Sequence, residues 1–289
     1  MTGKTIPTPV SSELITQQAL SPSWSQRLIR FLGLIFLFGF TLYSLYELDF
    51  FNLPMIWQGL TKLFDTLQFM LPPAAHGRTL DFLVAVLETL AMAFLGTLLA
   101  TIMSLIFGFL GAKNVIGQPL FHFCIRRVMD FLRGVDALIW ALIWINVVGL
   151  GPFAGILAIA VSNTGEISKL FSEAIENVDR GPIQGVRATG ANLMQTICYA
   201  ILPQVLPVLL SNCFYYFESN TRSATILGIV GAGGVGLILA DRIRVMAWDQ
   251  VSLLIIMILI TVYIIDNLSV FLRSRFIGSS NRGFRLGHI

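Results

Sequence analysis

The sequence predicts an all-α protein that crosses a membrane several times. Of its 289 residues, 55% are hydrophobic and only 12% are charged, and the mean hydropathy is +0.78. Soluble domains carry about 25% charged residues. Several apolar runs also approach the roughly 20 residues that a helix needs to cross about 30 Å of hydrocarbon. These observations exclude an ordinary soluble domain and favour a polytopic membrane protein.

Apolar runs predict about six transmembrane helices, at residues 28–47, 80–111, 134–149, 152–172, 198–219 and 250–272. Residues 1–27 are polar and lack the apolar core of a secretory signal, so we expect a cytoplasmic tail there. Residues 28–79 then hold the first span and a helix that lies in the outer interface and ends at Pro72. Residues 80–277 form the main transmembrane domain, and residues 278–289 form a second cytoplasmic tail.

The distribution of positive charge predicts the orientation in the membrane. If the N-terminus is cytoplasmic, the segments on that side hold fourteen of the 19 Lys and Arg residues. The outer segments hold the other five, which are Lys62, Arg78, Arg222, Arg242 and Arg244. Cytoplasmic loops of membrane proteins carry an excess of Lys and Arg. Both termini are therefore predicted to be cytoplasmic.

A polar stretch with several glycines separates the fourth and fifth predicted spans. Pro182 directly after Gly181 suits the first position of a short helix, where its missing N–H would be unpaired in any case. Gly190 then permits a sharp change of direction. Asn192 and Gln195 have the spacing of a capping box, which predicts a second short helix leading into the fifth span.

This stretch resembles the cytoplasmic coupling loop of ABC importer permeases, whose pattern is Glu-Ala-Ala, three residues, Gly, nine residues, Ile, one residue, Leu-Pro. Gly190, Leu202 and Pro203 are in register, whereas Gln184 stands where the family has glutamate. The resemblance implies a coupling loop over residues 173–203 whose short helix docks on an ATPase subunit. The residues it assigns to this contact are Ile183, Gln184, Val186, Arg187, Thr189, Gly190, Leu202 and Pro203. With Gln184 in place of the acid, we expect apolar contact at Ile183 and Val186 to dominate.

Flanking sequence narrows the resemblance to phosphonate-import permeases. It is strongest from Glu173 to Gly236 and extends over residues 80–277. It implies the type I ABC permease fold in the bacterial inner membrane, and import of phosphonate or a related phosphorus oxyanion by alternating access. It further implies three partners, which are a second permease copy forming a homodimer, two ATP-binding cassette subunits that hold ATP and Mg, and an extracytoplasmic phosphonate-binding protein. The chain itself is then expected to bind no cofactor and no metal.

Polar residues near the end of the fifth predicted span are candidates for the translocation pathway. They are Glu218, Ser219, Asn220, Arg222 and Ser223. Polar groups at membrane depth are costly unless they face protein, water or each other. They could line the passage, with Arg222 contacting an anion. Alternatively, Glu218 and Arg222, four residues apart, form an ion pair that fixes the end of the span.

Three glycines follow this polar group, at Gly231, Gly233 and Gly236. Their spacing matches a dinucleotide-binding fingerprint, but no strand precedes them, so that function is excluded. Small residues let helix backbones approach closely. Close packing around a gate and simple helix packing both explain them.

The sequence carries no constellation for catalysis. The three histidines are far apart, the three cysteines lack metal or redox spacing, and no complete Walker A motif or nucleic-acid-binding basic tract occurs. The chain is therefore predicted not to be an enzyme, with ATP hydrolysis on a separate subunit. The main alternative is an ion-gradient-driven secondary transporter of a small anion, in which Glu88, Asp136 or Glu218 binds protons or sodium.

Overall fold

The computed structural model of the protein describes residues 24–48, 50 and 52–284, and every regular element among them is helical. The elements are α1 (Trp24–Glu47), α2 (Leu53–Phe69), α3 (Thr79–Gly111), α4 (Pro119–Gly134), α5 (Ala137–Val148), α6 (Pro152–Glu176), α7 (Arg180–Ala188), α8 (Leu193–Thr196), a π-helical turn (Ile197–Ile201), α9 (Leu202–Leu227), a second π-helical turn (Gly228–Ala232), α10 (Gly234–Arg244) and α11 (Trp248–Phe284). Most of the predicted N-terminal tail and the end of the C-terminal tail lie outside the described residues.

The chain divides into two compact units, Met1–Thr66 and Leu67–Ile289. In the first unit, α1 exposes its apolar side chains on all sides, as a helix surrounded by lipid does. Its aromatic residues Phe36 and Phe40 stack at 6.3 Å between ring centroids. The predicted interfacial segment after α1 is helical, and its position at the outer interface stays a prediction.

The second unit is built around α6, which packs against α3 through small residues. A side chain at Gly96 would lie 2.7 Å from Ile159, and one at Gly108 would lie 2.8 Å from Phe171. Glycine at these positions lets the two backbones approach closely, which is how membrane helices commonly associate. α6 also buries a row of polar residues, namely Ser162, Asn163, Thr164, Ser168 and Ser172.

By length and composition, four helices of the described part of the chain could cross a membrane, within Arg27–Glu47, Thr79–Gly111, Leu193–Ala232 and Trp248–Arg275. A fifth crossing is possible if α4 and α5, bent by 87°, count as one span. α5 alone has 12 residues, or about 18 Å, and is shorter than the span predicted there. α6 has 25 residues, but its polar residues keep it out of this group. The six-span count and the cytoplasmic termini stay predictions.

The helix that contains the fifth predicted span runs beyond residue 219. The helical stretch extends from Leu193 to Ala232, with a break in helical geometry at Gly231, so Arg222 lies within a helix. At 40 residues the stretch is about 60 Å long and exceeds the roughly 30 Å of hydrocarbon, so the end of the span and the outer position of Arg222 stay predictions. The helix runs on because the polar residues after position 217 find partners on neighbouring helices.

Candidate functional site

The predicted coupling helix is α7, and it begins two residues earlier than the sequence indicated. Asp179 is its N-cap, and its carboxylate accepts a hydrogen bond from the N–H of Gly181 at 3.0 Å. An aspartate at this position satisfies one of the unpaired donors at the start of a helix. Pro182 therefore lies within the first turn, where its missing N–H still costs nothing.

The turn after α7 has the predicted geometry. Gly190 has a φ of +83°, which residues with a side chain rarely adopt. The capping box is confirmed, because Asn192 and Gln195 exchange side-chain to backbone hydrogen bonds of 2.9 Å each. A π-helical turn then precedes Pro203, and the wider turn accommodates a proline that has no N–H and whose ring crowds the preceding turn.

Gln204 joins α7 to α9, a connection that the sequence analysis missed. Its Oε1 accepts from the N–H of Asp179 at 3.1 Å, and its Nε2 donates to the carbonyl of Ala200 at 2.7 Å and to that of Asp179 at 3.4 Å. We call these contacts the Gln204 clamp. The residue holds the N-cap of α7 against the beginning of α9.

α7 turns its apolar side towards its own bundle. Ile183 packs on a core cluster that includes Ile175, Ile201 and Val205, and Leu202 packs on the same cluster. Val186 is half-buried, whereas Gln184, Arg187, Thr189, Gly190 and Pro203 are exposed. Ile183 is also half-buried, so part of its side chain packs within the chain. The contribution of Ile183 and Val186 to a partner contact stays a prediction, and the fully exposed side chains of α7 include Gln184 and Arg187.

The end of α6 that leads into α7 is held by a network around Glu176. Its carboxylate accepts from Arg126 Nη2 and from the N–H of Lys113, each at 3.0 Å. Asn114 donates to the last carbonyls of the helix, those of Ile175 and Glu176. Partial burial opposes ionisation, but the Lys113 N–H and the charges of Arg126 and Lys113 outweigh it and lower the pKa of Glu176.

The predicted pathway residues divide between two faces of α9. Ser219, Asn220 and Ser223 line a polar cavity of about 350 Å³ that also meets α4, α5 and α6. Neither Glu218 nor Arg222 is among the described residues that line it. The structure therefore brings three of the five candidates to one cavity.

Glu218 and Arg222 instead connect α9 to α11. Glu218 accepts from Arg273 Nη2 at 2.7 Å, and Arg222 Nη1 lies 3.0 Å from Asp266 Oδ1. The predicted pair between Glu218 and Arg222 is confirmed at 3.6 Å. Because Arg222 is shared by two carboxylates, its charge is neutralised within the chain.

The three glycines lie where the chain packs closely after α9, with Gly231 and Gly233 against the loop between α5 and α6 and Gly236 against the end of α9. The carbonyl of Gly231 accepts from the N–H of Gly151 at 3.1 Å, and a side chain at Gly233 would lie 3.0 Å from Pro152. A Cβ at Gly236 would lie 1.9 Å from the carbonyl oxygen of Thr225. Of the two explanations, helix and loop packing within the chain accounts for all three.

Each acid that the ion-coupled alternative needs has a partner in the chain. Glu88 accepts from the N–H of Gly234 at 3.2 Å, and Asp136 caps α5 by accepting from the N–H of Leu138 at 2.8 Å. Glu218 pairs with Arg273, as described above. Among the described residues, no group of three or more His, Cys, Asp or Glu side chains is placed to hold a metal ion.

Comparison with known proteins gives the family. Residues 104–278 match the family described as binding-protein-dependent transport system inner membrane component. The chain belongs to this family. The protein is accordingly a multi-pass permease of the bacterial inner membrane, and the matched region includes α7, the Gln204 clamp and the polar cavity.

Individual relatives agree with this assignment. The phosphite transport system permease protein PtxC of Stutzerimonas stutzeri is 32% identical over 90% of this chain and 97% of its own length. A putative cryptic phosphonate transport system permease protein, PhnE2 of Escherichia coli, is 50% identical over 42% of this chain and 99% of its own length. The phosphate-import permease protein PhnE of Mycolicibacterium smegmatis is 37% identical over 72% of this chain, which spans only 39% of that protein.

Solved structures have the same fold. A chain of the methionine ABC transporter MetNI, in an inward-facing conformation, superposes with a TM-score of 0.61 at 22% identity. The superposition covers 70% of this chain and 99% of that chain. The fold is therefore that of a type I ABC importer permease.

Proposed function

We propose that this chain is the membrane-spanning subunit through which phosphonate, or a related phosphorus oxyanion, enters the cell. The substrate class is inferred from the sequence similarity to PtxC, which extends over 97% of the length of that phosphite permease. The shorter likeness to PhnE2 supports phosphonate within the class. Family membership supports the role as a permease subunit.

The proposed complex contains two copies of this chain as a homodimer and two ATP-binding cassette subunits that hold ATP and Mg. An extracytoplasmic binding protein delivers the substrate. ATP hydrolysis takes place on the cassette subunits, and this chain contributes no catalytic residue and binds no cofactor. The proposed arrangement has six spans and both termini in the cytoplasm, with residues 80–277 as the permease domain.

The proposed mechanism is alternating access, in which closure of the ATPase dimer moves α7. The exposed polar face of α7, with Gln184 and Arg187, supplies the contact with the ATPase. The Gln204 clamp passes the movement to α9 because Gln204 is a residue of α9 and bonds to the N-cap of α7. α9 in turn carries Ser219 and Ser223, which line the polar cavity. Movement at α7 thereby changes the cavity walls.

The test is uptake by proteoliposomes that contain this chain with its ATPase and binding protein. We expect labelled methylphosphonate to enter only when ATP is on the ATPase side and the binding protein is on the other. Competition by unlabelled phosphite and phosphate ranks the substrates. Uptake driven by a proton or sodium gradient without the ATPase would overturn the proposal and support the secondary transporter.

A further inference from the structure

Asn163 is the unusual residue in the wall of the polar cavity. It lies on α6 with 7% of its surface exposed, and it lines the cavity together with Ser219 and Ser223. Its amide nitrogen has no hydrogen-bond partner in the part of the chain that the structure describes. A buried polar group without a partner costs stability, and such groups require an explanation.

Neighbouring buried polar residues have partners. The Thr164 hydroxyl donates to the carbonyl of Ala160 at 2.6 Å, and the Ser168 hydroxyl donates to the carbonyl of Thr164. Asn220, across the cavity, donates to Thr97 Oγ1 at 2.8 Å. The Asn163 amide nitrogen differs from them, since it is buried at the wall of the cavity without a partner among the described residues.

Arg133 supplies a positive charge at the same cavity. A side chain at Gly165 would lie 2.5 Å from the N–H nitrogen of Arg133, so glycine at this position allows the end of α4 to rest directly on α6. The guanidinium of Arg133 is half-exposed and reaches Asp130 only at 3.9 Å. This long contact leaves its N–H donors able to bind an anion that enters the cavity.

We propose that Asn163, Ser219, Ser223 and Arg133 form a transient binding site for the phosphorus oxyanion on its way through the permease. The site rests on the proposed function and adds the residues that hold the cargo. Amide N–H, hydroxyl and guanidinium groups are the donors that oxyanions accept from most strongly. The cavity of about 350 Å³ has room for roughly ten waters or for a small oxyanion with part of its hydration.

Two carboxylates in the same cavity oppose tight binding. Asp136 and Glu166 both line it, and the carboxylate of Asp136 is already bonded to the N–H of Leu138 as a helix cap. A site on a transport path has to bind its cargo strongly enough to admit it and weakly enough to release it. Here the hydrogen-bond donors attract a dianion while the two carboxylates repel it, so the site can both admit and release its cargo.

The test replaces Asn163 with aspartate, which has nearly the same shape but presents a negative charge in place of an N–H donor. Methylphosphonate uptake is measured in proteoliposomes holding the complete complex, at one pH below and one pH above the second pKa of methylphosphonate, so that the substrate is mainly a monoanion or mainly a dianion. Losing one hydrogen bond to a charged group corresponds to roughly a ten- to hundred-fold loss. We expect N163D to lower uptake at least about tenfold, and by more for the dianion than for the monoanion. Arg133→Gln should show the same dependence on substrate charge.

The matched control is Asn146→Asp, the same change at an exposed α5 residue whose amide donates to the carbonyl of Leu142. It should leave uptake unchanged. If N163D does not assemble, Arg133→Gln alone decides, because Arg133 is half-exposed. Wild-type uptake in the assembled variants, or an equal loss for monoanion and dianion, would overturn the site. Failure of the wild-type complex to import methylphosphonate would instead refute the proposed function on which the site rests.

Discussion

Replacing Gln204 with alanine removes the side chain that holds the N-cap of α7 against the start of α9. Two bonds of the clamp reach the N-cap of α7, at 3.1 Å from the Asp179 N–H and at 3.4 Å to the Asp179 carbonyl, whereas the 2.7 Å bond to the Ala200 carbonyl lies within the helical stretch that contains Gln204. A bond of good length contributes about 0.5–1.5 kcal/mol net. The loss of contact with α7 is therefore about 0.5–2 kcal/mol, which shifts the equilibrium between clamped and released α7 by about 2- to 30-fold.

The assay is the number of methylphosphonate molecules imported per ATP hydrolysed by the reconstituted complex. We expect Q204A to lower this ratio several-fold while ATP hydrolysis itself continues, because a released α7 still docks but moves α9 less. Gln204→Glu should give an intermediate result, since a carboxylate accepts from the Asp179 N–H but cannot donate to the Asp179 carbonyl. Gln58→Ala, at an exposed position of α2, is the control.

The reasoning is refuted if Q204A imports as many molecules per ATP as the wild type. It is refuted as well if import and hydrolysis fall in parallel, because that outcome indicates loss of assembled complex and not loss of coupling. Thermal melting of each variant in detergent separates the two cases, and a melting temperature near that of the wild type is expected for a clamp at the surface of the bundle.

Three further predictions concern packing and charge. Gly236→Ala places a methyl group 1.9 Å from a backbone carbonyl oxygen, so it should destabilise the fold by at least about 1–3 kcal/mol and lower the yield of purified protein. The control is Gly39→Ala, which should do neither because nothing lies within 4 Å of the added methyl group. Glu176→Gln should make the fold less sensitive to acid. A carboxyl whose pKa is lowered in the folded state stabilises the fold above its unfolded pKa, and this contribution is lost as the pH falls through the folded pKa. Melting temperatures measured below about pH 4.5 should therefore fall less for E176Q than for the wild type. Arg273→Ala removes the shorter of the two ion pairs of Glu218 and leaves the one with Arg222 at 3.6 Å, so it should cost about 1.5–3 kcal/mol, and adding Glu218→Gln should restore part of the melting temperature.

Local features of the site were predictable because they depend on neighbours in the chain. The capping box between Asn192 and Gln195 and the reversal at Gly190 follow from spacing and backbone freedom over a few residues. The prediction that Pro182 is the first helical residue puts the start of α7 two residues later than the structure does. Asp179, three positions earlier, is a strong N-cap and was the signal that could have located it.

Features that depend on distant partners were not predictable from one sequence. The polar group after residue 217 indicates the end of a span if it is read alone, because charge in a membrane is costly. Its cost is offset by Asp266 and Arg273, which lie 44 and 55 positions further along the chain from Arg222 and Glu218. Asn163 has no local signal either, since only the packing of four helices shows that it lies in the wall of a cavity.

The two faces of α9 suggest how a movement of α7 reaches the cavity. Ser219 lies fifteen residues after Gln204, about 22 Å along the helix axis, so one helix carries both the clamp and the cavity wall. On the adjacent face, Glu218 binds Arg273 at the same level, which makes α9 and α11 move as a pair while the cavity lies on the side of α6. Breaking this ion pair should therefore reduce import per ATP as well as stability. Gly236→Ala, which disturbs packing at the far end, should reduce stability without changing that ratio in the complexes that survive.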